Sequence, residues 1–348
     1  MKKTLTALLL VLALLPGTVL PAQAAGSGYS DVPEGHWAAE SIRRATELGL
    51  FNGVGGGKFG LGQPITRAAF VTALSRLFDW EAEGSSPELA DVPDGAWYAA
   101  AVQAAYAGEV FVVTDGKFRP EDPITREEMA VMLIRSLGYA ALAGAVTRYG
   151  SPFSDVTVNR GFIAIANDLG LMTGVGGGRF DPDGAAPREV AATVLVRLYD
   201  RLHAQSRKLA SAKGYVPITV DTPQASLDTP LPTTPLEPLE ALYDALRAAK
   251  LAGTDLSQAA LRLTAGGVRT VVANGQLAGT SVLTADEVKE LLAQPGVRTY
   301  YNSHYESAYC IYAPNSYQTA AVWYQDQRSM EAKLQLARLF GVTAYYME

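Results

Sequence analysis

Eight side chains stand at matching places in a repeated pattern that fills the first two-thirds of the chain. They are Asp31, Asp91 and Asp155, Trp37 and Trp97, and Arg67, Arg126 and Arg188. Each Asp precedes a Val, and each Arg follows a Thr or a Pro that reads as the start of a helix. A guanidinium at a helix start can take a carboxylate through two parallel bonds, and the unpaired N–H groups there add a favourable field. An indole face can pack on a pyranose ring, and an Asp can accept bonds from sugar hydroxyls. The same residues have plainer uses. A Trp in an amphipathic stretch packs in a core, and an Asp before Val-Pro fixes a turn. Residue types alone favour those plainer uses for Trp37, Trp97 and the aspartates.

The elements that must position these groups recur with them. The first copy runs Ser30-Asp31-Val32-Pro33, Trp37, Gly53-Val54-Gly55-Gly56-Gly57-Lys58-Phe59 and Pro64-Ile65-Thr66-Arg67. The second runs Ala90-Asp91-Val92-Pro93, Trp97, Asp115-Gly116-Lys117-Phe118 and Pro123-Ile124-Thr125-Arg126. The third runs Ser154-Asp155-Val156, Gly174-Val175-Gly176-Gly177-Gly178-Arg179-Phe180 and Ala186-Pro187-Arg188. The period is about 60 residues, and repeats of this kind share one core and form a binding platform more often than a catalytic centre.

Each copy reads as helix, glycine turn, helix. Ile42, Ala45 and Leu48 follow Trp37 near helical spacing, and Gly49 is a helix stop. The second helix opens at the Thr-Arg step. Thr125-Arg126-Glu127-Glu128 is a capping box; Thr66 has Ala69 where the Glu would be, and Pro187 suits a first helical position but cannot cap by its side chain. The third copy also lacks the Trp, since Gly161 stands six residues after Asp155.

The 348 residues carry a formal charge of -6, which argues against nucleic acid as the main partner. Residues 1–24 read as a signal peptide: Lys2 and Lys3, an apolar stretch from Leu5 to Leu20, and Ala22-Gln23-Ala24 before the cut. The mature chain is therefore expected to be exported, with no membrane span. Cys310 is the lone cysteine, so no intrachain disulfide forms. No metal site or cofactor is expected. His36, His203 and His304 are scattered, Asp181-Pro182-Asp183-Gly184 lacks the other ligands of a calcium loop, and Phe59 stands where a phosphate loop needs Ser or Thr.

The three copies resemble the S-layer homology domain. The Asp-Val-Pro…Trp opening, the Gly-Lys-Phe turn and the Ile-Thr-Arg-Glu helix start carry the likeness, over about residues 27 to 205. The resemblance implies a pseudo-threefold helical bundle with copies at 27–80, 88–140 and 151–205. It implies non-covalent anchoring to secondary cell wall polysaccharide linked to peptidoglycan, an anionic polymer that carries pyruvate ketals. It also implies that the arginines, aspartates and tryptophans named above line grooves between repeats. Three weak sites on one rigid platform would add through avidity.

A Pro/Thr-rich run over 206–238 reads as an extended connector, with prolines at 217, 223, 230, 232, 235 and 238. Beyond it, 239–348 reads as a small α/β segment, so the fold class is mainly α with an α/β tail. Strands are expected at 267–273, 297–301, 307–312 and 320–324, and helices at 239–252, 284–293 and 329–340. Nine tyrosines fall between Tyr300 and Tyr346, and a packed core explains them better than a sugar-binding face.

Tyr309-Cys310-Ile311-Tyr312, Val322-Trp323-Tyr324-Gln325-Asp326, Ser329, Lys333, Leu336-Ala337 and Gly341 resemble the end of a family 18 glycoside hydrolase barrel. The Asp-x-x-Asp-x-Asp-x-Glu run that such catalysis needs is absent from the sequence, and Tyr345-Tyr346 stands where that family has a Trp. About 110 residues cannot close an eightfold barrel. The end at Met347-Glu348 reads as that of a truncated gene product. The expected function is wall anchoring without catalysis; a wall-attached glycan hydrolase and an S-layer structural subunit are the alternatives.

Overall fold

The computed structural model describes residues 28–81, 89–113, 115–220 and 236–348. The leader expected over 1–24 lies outside them. Each copy contributes the expected helix pair. The first has α1 (Ala39–Glu47) and α2 (Arg67–Phe78), the second α3 (Ala99–Ala107) and α4 (Arg126–Ser136), and the third α6 (Arg160–Asp168) and α7 (Arg188–Leu202). The pairs pack cyclically, α2 on α3, α4 on α6 and α7 back on α1. Arg44 closes the ring from α1 by a bidentate pair to Asp200 on α7, both bonds 2.6 Å.

The centre of the bundle is a triangle of backbone bonds. Ile65 N–H donates to Ala186 O at 2.9 Å, Ala186 N–H to Ile124 O at 3.0 Å, and Ile124 N–H to Ile65 O at 2.9 Å. Ile65, Ile124 and Ala186 are fully buried, as are Phe59, Phe118 and Phe180 from the three turns. Burying each Phe contributes roughly 2–3 kcal/mol. Thr66 and Thr125 cap α2 and α4 with their side chains, and the capping box at Thr125 and Glu128 is complete.

An additional helix, α5 (Ala140–Val146), lies between the second and third expected copies. Leu142, Ala143 and Val146 give it a buried face. Its backbone comes so close to α6 that a Cβ on Gly161 would sit 1.7 Å from Ala143 O. Gly161 is thus a packing glycine.

The C-terminal unit holds two sheets. One is fully parallel in the order β1 (Arg207–Lys208), β9 (Ala344–Met347), β3 (Ala259–Leu263), β2 (Val216–Ile218). Helices α8 (Leu239–Leu251) and α10 (Gln327–Phe340) belong to the same unit and pack on each other. The other sheet is antiparallel in the order β5 (Gln276–Leu283), β4 (Gly267–Ala273), β8 (Gln318–Tyr324), β7 (Ser307–Asn315), β6 (Arg298–Asn302), with α9 (Ala285–Leu292) packing against it through Val288 and Leu291. The expected strands and helices are all present, and β3, β5 and β9 are additional. The connector reading of 206–238 needs correction. Its residues 207–208 and 216–218 are strands of the parallel sheet, and Leu236 and Glu237 are buried. Residues 221–235 lie outside the described residues.

The unit docks on the third repeat at the C-terminal ends of α6 and α7. Asp168 accepts from Tyr243 OH at 2.6 Å and Arg247 Nε at 3.0 Å, and Arg201 donates to Leu339 O in the last turn of α10. Arg148 beside α5 pairs with Asp244 at 2.7 Å and with Glu240. No single helix among the described residues is long and apolar enough to cross a membrane.

Candidate functional site

The turns carry the site, and the first and third must bend tightly beneath an aromatic ring. A Cβ on Gly53 would meet Lys58 O at 2.6 Å and the Tyr29 ring at 2.7 Å; on Gly174 it would meet Arg179 O at 2.6 Å and the Phe153 ring at 2.7 Å. The residue before each Asp bonds the turn: Ser30 to Gly57 O at 2.9 Å, Ala90 to Gly116 O at 3.0 Å, Ser154 to Gly178 O at 2.9 Å.

The aspartates then clasp the chain beyond the turn. Asp31 accepts from the N–H groups of Phe59, Gly60 and Leu61 at 2.7, 2.8 and 3.0 Å. Asp91 accepts from Phe118 and Arg119 at 2.8 and 2.7 Å, and Asp155 from Phe180 and Asp181, both at 2.8 Å. Each fixes a loop 25 to 30 residues away in sequence, not its own turn. Burial pushes the Asp31 carboxyl up, but its three N–H donors outweigh this and hold it below the usual range; at Asp155 the Phe180 N–H leads the same lowering.

The arginines reach across repeats. Arg67 Nε donates to Phe118 O at 2.8 Å, Arg126 Nε to Phe180 O at 2.7 Å, and Arg188 Nε to Phe59 O at 2.9 Å. Each guanidinium also lies over the ring of that Phe, with its carbon 4.9, 4.6 and 5.1 Å from the ring centre. One repeat's Arg therefore holds the carbonyl of the peptide whose neighbouring N–H the next repeat's Asp holds. Six of the eight residues meet in three stations: Asp31 with Arg188 at Phe59, Asp91 with Arg67 at Phe118, and Asp155 with Arg126 at Phe180, while Trp37 and Trp97 contact their own neighbours His36 and Tyr98.

Arg67 and Arg126 are only 4% and 9% exposed, and burial pushes all three guanidiniums below their ordinary value. Trp37 and Trp97 are 61% and 65% exposed, which corrects the core-packing expectation. Both lie two residues before their helices begin, outside the amphipathic face. The residue two before α6 is Val158, 58% exposed, because the third loop is three residues shorter; it holds the place of the missing Trp, and Gly161 does not. Glu128 is the member sequence reasoning missed. It pairs with Arg67 and Arg119, both at 2.6 Å, beside a groove of about 230 Å³ that also involves Phe111 and Asn159.

All three stations lie at the ends where the helices start. The opposite ends have their own threefold feature. Arg76 donates to Leu50 O at 3.2 Å, Arg135 to Glu109 O at 3.1 Å and Arg201 to Leu169 O, each satisfying a carbonyl just past a first helix. The C-terminal unit docks at that end, leaving the stations uncovered by it.

The family model for the S-layer homology domain matches residues 28–71, 88–130 and 152–189. The chain carries three S-layer homology domains. They mark it as an exported protein of the cell wall or cell surface. The matched relatives include an S-layer protein of Bacillus thuringiensis subsp. finitimus, 27% identical over 206 residues, covering 58% of this chain and 25% of that one. A cell surface protein of Thermoanaerobacter kivui is 30% identical over 50% of this chain and 22% of its own length. An amylopullulanase of Thermoanaerobacterium thermosulfurigenes is 30% identical over 50% of this chain and 10% of its own length. The chain thus spans a quarter or less of these relatives.

Among solved structures, the spore cortex-lytic enzyme SleL of Bacillus megaterium QM B1551 matches 38% of this chain and 30% of its own, at 18% identity and a TM-score of 0.31. A chitinase of Chromobacterium violaceum matches 64% of this chain and 56% of its own, at 14% identity and a TM-score of 0.29. Among the described residues no His, Cys, Asp and Glu group could hold a metal ion.

Proposed function

We propose that the chain attaches non-covalently to anionic, pyruvylated secondary cell wall polysaccharide through the helix-start end of its bundle. The observation that carries this reading is the set of three arginines at the first residues of α2, α4 and α7, each held by a neighbouring repeat beside an Asp-clasped loop. A ketal carboxylate on a sugar suits such a guanidinium, and Trp37 or Trp97 offers an exposed face for the ring. Lys58, Lys117 and Arg179 in the three turns add positive charge nearby.

The C-terminal unit is displayed from the far end and does not catalyse glycan hydrolysis. The sequence lacks the acidic run of that chemistry, and burial pushes the Cys310 thiol up to about 11, away from use as a nucleophile. The test is co-sedimentation of the whole protein with purified walls before and after acid stripping of the secondary polymer. Binding lost on stripping supports the reading; binding that survives stripping contradicts it. Release of reducing sugar from N-acetylglucosamine oligomers would contradict the non-catalytic part.

A further inference from the structure

The two sheets of the C-terminal unit end in four edge strands, and these are not protected alike. An open edge presents unpaired N–H and C=O groups, and proteins blunt such edges with charge, Pro or brevity. β1 is two residues, Arg207–Lys208, both cationic. β2 has three residues and carries Pro217 at its centre. β6 has five residues and opens on Arg298. β5 is the exception. It runs for eight residues, Gln276–Leu283, and no Asp, Glu, Lys, Arg or Pro stands between Arg269 and Asp286. All of β5 except Ser281 and Leu283 is exposed.

The pairing of β5 with β4 shows which side chains share a face. Val282 lies opposite Val268, Thr280 opposite Thr270 and Leu277 opposite Val272. Those three β4 residues alternate along one face, so Leu277, Thr280 and Val282 share that face as well. A register shift between Val271 and Val272 leaves Ala278 without a partner on β4. Bulges often blunt an edge, but without this one Leu277 would point to the opposite face from Val282. The strand thus carries an apolar residue near each end, Leu277 at 39% and Val282 at 74% exposure, with Thr280 midway.

β5 is symmetric about Thr280. Counted on their β4 partners, Leu277 and Val282 stand two rows to either side of it, and Gln276 and Leu283 three. An antiparallel copy of the strand laid along the free edge therefore matches it end to end. Thr280 falls opposite Thr280, Leu277 opposite Val282 and Gln276 opposite Leu283, each pair on a common face. No like charges oppose one another in that pairing. Arg269, the charge that flanks the strand on β4, is turned to Ser281 Oγ at 3.0 Å on the other face. β5 and β6 are opposite edges of the sheet, and the turn after β6 lies beside the bundle, where Ser303 and His304 face Leu142 and Ala145 of α5. β5 is therefore on the side away from the bundle.

We propose that β5 is a self-association edge. Two copies of the chain join β5 to β5 about a twofold axis at Thr280, making one continuous ten-stranded antiparallel sheet. This stands independently of what the bundle binds. The contact is small: a strand pair covers less than the roughly 800 Å² per partner of a standard stable interface, so the dimer is weak in dilute solution. Copies crowded on one cell surface associate more fully, by mass action.

The experiment is sedimentation velocity of the whole protein from about 1 to about 300 μM, as wild type, Thr280→Lys, Thr280→Glu and an equimolar mixture of the two variants. Thr280 is exposed, so both variants should keep the wild-type melting profile. Each variant sets two like charges face to face at the twofold, and the mixture sets opposite charges there. We expect a wild-type dimer with a Kd of about 10–100 μM, association at least about tenfold weaker in each variant, and recovery to within about threefold of wild type in the mixture. A wild type that stays monomeric throughout, variants that associate as the wild type does, or a mixture no tighter than its components overturns the proposal.

Discussion

Two regions of this molecule bury a cation, and they settle its charge in opposite ways. In the bundle, Arg126 and Arg188 give Nε and Nη2 to backbone carbonyls of the next repeat, lie over a Phe ring and have no hydrogen bond at Nη1 among the described residues. In the C-terminal unit, Lys333 is fully buried. Its ammonium reaches Gln325 Oε1 at 3.1 Å, Glu306 O at 3.3 Å and Ser307 Oγ at 3.4 Å. Gln325 passes the contact on to Glu237 at 2.8 Å, and Glu237 accepts from Thr264. The Lys333 network is closed on itself and ties α10, β3 and the β6–β7 turn together. The arginine stations are closed on one side only. A cation that is buried and fully partnered serves the fold, whereas one that is buried and left with an open edge is available to a ligand.

The comparison breaks most visibly if the open arginines prove dispensable. Arg126→Lys with Arg188→Lys keeps both charges but loses the planar fork, and should lower wall binding about a hundredfold, since two stations of one platform fail together. Lys333→Met should leave wall binding unchanged in the same co-sedimentation assay.

A smaller effect separates the third repeat from the others. Gly161→Val must displace α5 from α6, given the 1.7 Å approach to Ala143 O, and should cost about 2 kcal/mol in chemical denaturation. Equivalent substitutions at Glu40 or Ala100, which take the same place in α1 and α3, should cost far less.

The closed network has its own signature in pH. Burial lowers Lys333 from 10.5 to about 8, with Glu237, Asp326 and Glu306 opposing. Between those values the unfolded chain binds the extra proton, so stability rises with pH from about 8 to about 10.5. The rise should reach about 1 kcal/mol or more and vanish in Lys333→Met, as read from denaturant midpoints at each pH. The smallest effect is Trp37→Ala, which should change stability by no more than about 0.5 kcal/mol because the indole is largely exposed.

Much of the bundle was legible. The Thr66, Thr125 and Pro187 steps do open the second helices, and the capping box at Thr125 is complete, because caps are local chemistry. What each arginine reaches was not legible. Arg67 to Phe118 and Arg188 to Phe59 cross between repeats, and no spacing within one repeat encodes that. Trp37 was misjudged because its spacing to Ile42 looks helical, although the helix begins only at Ala39. The prolines of 206–238 suggested an extended connector. Extended backbone at Val216–Ile218 is equally what an edge strand needs, and Pro217 is tolerated there. α5 escaped notice because its small residues make a buried face without strong periodicity.

The central claim is that one end of the bundle meets the polymer while the other carries the C-terminal unit. Hydrogen–deuterium exchange of the whole protein, with and without soluble wall polysaccharide, tests it most directly. The account predicts new protection in the segments around Asp31–Trp37, Gly53–Arg67 and Gly174–Arg188, with none at Gly49–Leu50, Asp168–Gly170 or in α10. Protection confined to the far end or to the C-terminal unit would contradict it.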